Sequence, residues 1–255
     1  YDELSRQKSR QIDVKYLNSI GQVWDKDILA ETIVENESWN AHINQLEDAI
    51  LKEPVRSILL VGESGVGKTA LFKLFAKDAL EKGWTIFEAG AAEILAGQIY
   101  IGELEERIKT LREKLNREKR IIWFAQNFHE LLLAGQHRFS STGILDMMMP
   151  FLETGKIILI GETQPEAYER LLQTRPRVKS LFEIVRIAAT DENTATGIAR
   201  QWIDSKQTLD GSAILSEQTL QEIIHLVQQF LGDKASPGNL LEFLKNTYRQ
   251  YLVDN

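Results

Sequence analysis

Ser57 to Ala70 reads SILLVGESGVGKTA, and this stretch decides the fold. A short apolar run, Ile58 to Val61, ends at Gly62. GESGVGKT then puts Gly62, Gly67, Lys68 and Thr69 at the fixed places of the phosphate-binding pattern G-x-x-x-x-G-K-[ST]. The loop has to curl its backbone N–H groups around phosphate oxygens, which requires backbone angles and a close approach that side chains would block. The expected nucleotide contacts are therefore the whole run Gly62, Glu63, Ser64, Gly65, Val66, Gly67, Lys68, Thr69 and Ala70. Lys68 reaches the terminal phosphates of ATP or ADP, and Thr69 offers its hydroxyl to Mg. The following helix, with Leu71, Leu74 and Phe75 as its apolar stripe, turns its positive end toward them.

The 255 residues suffice for one large domain or a large and a small one. The absence of cysteine excludes disulfides and Cys-ligated metal, and agrees with a cytoplasmic location. No apolar run is long enough to span a bilayer, so no membrane partner is expected. A net charge of -7 gives no general pull toward nucleic acid. A start at Tyr1 suggests a processed chain or a piece of a longer one.

Further apolar runs follow at 84–87, 121–125, 156–160 and 184–187, unbroken as in a sheet covered on both faces. Helical patterns separate most of them: Trp39, Ile43, Leu46 and Ile50 before Pro54, and Leu104, Ile108, Leu111 and Leu115 after Gly102. The fold expected is α/β, a five-stranded, mainly parallel sheet flanked by helices, with its ligand at the carboxyl ends of the strands. Residues 1–32 lack a clear period and read as a linker or packed-on arm, and 33–190 as the large α/β domain. Residues 191–255 carry three helical stretches without a strand, a small all-helical domain. The charged helix after Gly102 mixes glutamates with its lysines and arginines, as an ordinary solvated face does.

The order GESGVGKT, AGQIYIGELEERI, FHELLLAG and IILIGETQPEAYERL resembles the first ATPase domain of the Clp-type AAA+ unfoldases and disaggregases, over about residues 33–250. That resemblance implies an AAA+ P-loop NTPase fold with a helical lid. It adds Ile33 and Val34 as nucleotide contacts, and it implies a hexameric, homo- or hetero-oligomeric ring. Tyr100 matches the aromatic pore-loop residue that grips an extended polypeptide. Read without the family, Tyr100 fits packing under the next helix better than a pore role.

Departures from the pattern are concentrated in the catalytic parts. Where the family ends its third strand in an Asp–Glu pair, this chain has Gln126 and Asn127. An amide takes no proton from water and binds the magnesium shell weakly, so hydrolysis is expected to fall by about two powers of ten or more. Glu130, one helical turn on, is the possible substitute. Ser180 and Leu181 stand where the family's trans-acting arginines precede Phe182, with Arg175, Arg177 and Lys179 nearby. The sensor threonine is kept as Thr163, beside Glu162, and the basic sensor position of the last helix reads Asn239. His42, His129, His137 and His225 are scattered, and Met147 to Met149 suit core filling. The leading expectation is an ATP-binding module of a protein-remodelling ring with little hydrolysis of its own. The alternatives are an active ATPase that threads polypeptide, and an adaptor that recruits nucleic acid or a partner complex.

Overall fold

The structure, a computed structural model, describes residues 12–25, 28–29, 39–53, 55–98, 101–136, 142–206, 215–232 and 234–254. The apolar runs form strands β2 (Ser57–Val61), β3 (Thr85–Glu88), β4 (Ile121–Ala125), β5 (Ile158–Thr163) and β6 (Phe182–Arg186). These pair in parallel, and the phosphate-loop strand β2 lies between β5 and β6. Alternate residues serve opposite faces. Leu59, Val61, Trp123 and Leu159 enter one core, while Ile58, Leu60, Phe124 and Ile160 enter the other.

Among the described residues the sheet has six strands rather than five. Gln22–Val23 forms β1, antiparallel to β3, in the order β1-β3-β4-β5-β2-β6. Two residues, one of them polar, carry no readable alternation, so hydropathy gave no sign of this strand. The stretch around it is packed on rather than a linker. Asp13 caps the helix Val14–Asn18 by accepting from Tyr16 N, and it also accepts from Lys114 Nζ at 2.7 Å. Trp24 meets the rings of Phe72 and Phe124 edge-on at 5.4 and 5.6 Å, and those two stack at 3.8 Å. The apolar stripe of the phosphate-loop helix, Lys68–Glu81, accordingly includes Phe72, with Leu74 only partly buried.

The charged helix Ile101–Lys114 puts its basic residues to structural use. Arg107 donates to the carbonyls of Ile94 and Ala96, and the Arg112 guanidinium lies 4.3 Å over the Phe151 ring. Met148 and Met149 are buried core residues. Beyond Asp191, three helices, Glu192–Asp204, Glu217–Phe230 and Gly238–Asp254, build a separate core around Trp202, Ile224 and Leu240. Asp191 and Ser216 cap the first two.

Trp24→Ala removes an aromatic that joins the arm to the sheet. Urea unfolding should register a loss of about 3 kcal/mol. An unchanged midpoint would place residues 12–25 outside the cooperative unit.

Candidate functional site

β2 is buried along its whole length and ends at the loop Gly62–Gly67. Gly65 and Gly67 hold φ of 93° and 95°, the left-handed region that glycine adopts without strain. Both are also pressed from outside. A Cβ on Gly67 would sit 2.6 Å from Trp39, and one on Gly65 would sit 2.5 Å from the Ala235 carbonyl. The helix at Lys68 has no side-chain cap, so its first N–H groups are left for an anion. Lys68 Nζ donates to the carbonyls of Gly62 and Glu63, both at 2.8 Å. Partial burial lowers its pKa, against the pull of Glu162 and Glu63.

A cavity of about 270 Å³ opens here, lined by the loop with Lys68, Thr69, Asn127, Glu162 and Thr163. Thr69 Oγ1 donates to Glu162 Oε2 at 2.9 Å. Glu162 is only 6% exposed, and its Oε1 has no partner among the described residues. Burial pushes its carboxyl up to about 7, while Thr69 and Lys68 favour the charged form and Glu88 opposes it. Reasoning from the sequence gave Glu162 no role. Its partner lies 93 residues away, and only the β2–β5 register, with Leu60 opposite Glu162, brings the two together.

Gln126 and Asn127, which the Clp-type resemblance sets against the acidic pair, are both exposed. Gln126 Nε2 donates to Glu88 Oε1 at 2.7 Å, and Glu88 Oε2 accepts from Trp24 Nε1 at 2.8 Å. Asn127 has a φ of 47° and reaches the edge of the nucleotide cavity. Glu130 lies in a neighbouring cavity with Glu88, Glu93 and Gln126, not in the one that holds Lys68 and Thr69. Thr163 is buried, its hydroxyl 3.2 Å from His129 Nδ1, so this histidine belongs to the site's surroundings. Among the described residues no cluster of three His, Asp or Glu side chains suits a metal ion by itself. Tyr100, Ile33 and Val34 lie outside the described residues.

Arg175 is not a loose loop charge. Its Nε and one terminal nitrogen donate to the two carboxylate oxygens of Asp146 at 2.7 and 3.0 Å. Ser180 Oγ donates to the Arg177 carbonyl, and Leu181 is buried. Asn239 donates to the Leu231 carbonyl. The turn before it is bonded to the phosphate loop, Ala235 N donating to Ser64 O at 2.7 Å and Gly238 N to Gly65 O at 3.0 Å.

The sequence model of the ATPase family associated with various cellular activities (AAA) matches residues 58–186. The chain belongs to that family. Among similar proteins, chaperone protein ClpB 2 of Parasynechococcus marenigrum is 24% identical over 84% of this chain and 24% of its own length. Chaperone protein ClpB of Corynebacterium diphtheriae is 28% identical over 76% of this chain and 24% of its own. The chain thus spans about a quarter of the length of these relatives. Among solved structures, the extended conformation of the S. cerevisiae Hsp104:casein complex superposes with a TM-score of 0.77. It covers 94% of this chain and 42% of that one at 19% identity, a likeness of fold. Among the described residues no helix is long and apolar enough to cross a membrane.

The Asp146–Arg175 pair has a readable pH signature. Arg175, helped by the Gly143 N–H, holds the Asp146 carboxyl below its ordinary value of 3.8 despite partial burial. A lowered folded-state value means stabilisation that is complete above about pH 4 to 5 and lost as the pH falls through that lowered value. Arg175→Met should cost about 2 kcal/mol at neutral pH. Urea titrations should show that deficit shrinking below pH 4, whereas a pH-independent deficit would argue against the ion pair as its source.

Proposed function

We propose that this chain is the nucleotide-binding module of a Clp-like protein-remodelling ring, binding ATP or ADP with Mg and hydrolysing ATP slowly or not at all. On this reading residues 33–190 hold the nucleotide and 191–255 form a helical lid over it. One observation carries the proposal. The phosphate loop is built to accept phosphate, while the end of β4 presents two amides, one of them already bonded to Glu88. The residues fit the cofactor. Gly65 and Gly67 hold the left-handed angles that the loop needs, the helix N-terminus is uncapped, and a buried carboxylate oxygen beside Thr69 lacks a partner among the described residues.

In binding, the loop N–H groups and the first turn of the helix take up phosphate charge, and Lys68 exchanges its two carbonyl partners for phosphate oxygens. Thr69 would offer its hydroxyl oxygen to magnesium, which would supply positive charge to offset that of the phosphates. Nothing at 126 or 127 then accepts a proton from water, and phosphoryl transfer loses a group that orients the nucleophile. The aligned positions carry Ser180 and the buried Leu181 in place of arginine, Arg175 is engaged with Asp146, and the exposed Arg177 is the arginine that remains nearby. Ring assembly and a polypeptide partner at Tyr100 are carried over from the Clp-type resemblance; the Hsp104 structure whose fold this chain shares was solved in complex with casein.

A fluorescent ADP analogue should bind the full chain, and Lys68→Ala should weaken it by about tenfold or more. ATP turnover should stay at the Lys68→Ala background. Phosphate release by the wild-type chain that Lys68→Ala abolishes would establish an active ATPase instead.

A further inference from the structure

Parallel pairing of β5 with β2 sets Glu162 opposite Leu60, just before the chain leaves the sheet for the phosphate loop. Its carboxylate thereby reaches the first turn of the loop helix, where Oε2 accepts from Thr69 and Oε1 stays buried without a partner among the described residues. A buried, unpaired carboxylate oxygen is costly unless a cation or donor completes it. Lys68 does not do so by a hydrogen bond: two of its three N–H donors go to the Gly62 and Glu63 carbonyls, and none is bonded to Oε1. Gln126 brings no charge, and its amide is bonded to Glu88. Thr69 directs its proton at Glu162, so the lone pairs of its oxygen remain for a hard cation, which prefers oxygen ligands and an anionic one nearby.

We propose that Glu162 is the magnesium-positioning carboxylate of this nucleotide site, orienting Thr69 through one oxygen and serving the cation's ligand sphere through the other. The acid is supplied by β5, one strand nearer the phosphate loop than β4, where the Clp-type pattern has it. The assignment rests on the nucleotide-binding reading above. It concerns holding the metal and leaves the water-activating position at Asn127 without a carboxylate, so firm magnesium binding and slow turnover coexist.

The test is titration of the fluorescent ADP analogue into the full chain with magnesium and with chelator, alongside electron paramagnetic resonance of Mn²⁺ bound with ADP. In the wild-type chain magnesium should tighten the analogue. Glu162→Gln keeps the side chain's shape and an acceptor for Thr69. Its folding is checked by its unfolding midpoint, and the readout is the ratio of its analogue affinities with magnesium and with chelator, which should fall about tenfold from the wild-type ratio while bound Mn²⁺ is lost. Glu162→Gln with the wild-type magnesium gain and full Mn²⁺ occupancy overturns the assignment while leaving nucleotide binding intact. A wild-type chain that binds no analogue in either medium overturns the nucleotide reading itself, and the assignment with it.

Discussion

Between Val61 and Lys68 the backbone must pass from a strand buried on both faces into a helix while keeping its N–H groups turned inward. Much of the structure around the site follows from that constraint. The left-handed angles at Gly65 and Gly67 make the turn possible, but they do not hold it. Holding comes from segments far apart in the chain. Trp39 closes on Gly67 from the preceding helix, the Ile187 carbonyl stands against Gly62 after β6, and the turn at Ala235 covers Gly65. The loop is thus the point where the core around Phe72 and the C-terminal helices meet.

The amide at Gln126 looks at first like a simple loss, yet the surroundings give it work. Glu88 already accepts from Trp24, and a carboxylate at position 126 would face it as a like charge. Gln126 instead donates to Glu88, so the row Trp24, Glu88, Gln126 ties the arm, β3 and the end of β4 together. A neutral donor at this place favours the sheet edge that an acid would strain.

Unbroken apolar runs made the five parallel strands legible, and the glycine and lysine spacing made the loop so. β5 was readable only in part. Its hydrophobicity stops at Ile160, whereas pairing with β2 continues through Thr163, and the polar end of the strand is what enters the site. Contacts across long separations left no local mark either. Glu162 meets Thr69 through sheet register, and Arg175 finds Asp146 across 29 residues. Amphipathic periodicity did mark the three C-terminal helices, since each must present one apolar stripe to the same small core.

Two backbone hydrogen bonds, Ala235 N to Ser64 O and Gly238 N to Gly65 O, fasten the phosphate loop to the turn that starts the last helix. The two loop carbonyls and the first turn of the last helix therefore hold one another in place, so that a ligand which binds more tightly to one setting of that turn favours that setting by the same free energy, by thermodynamic reciprocity.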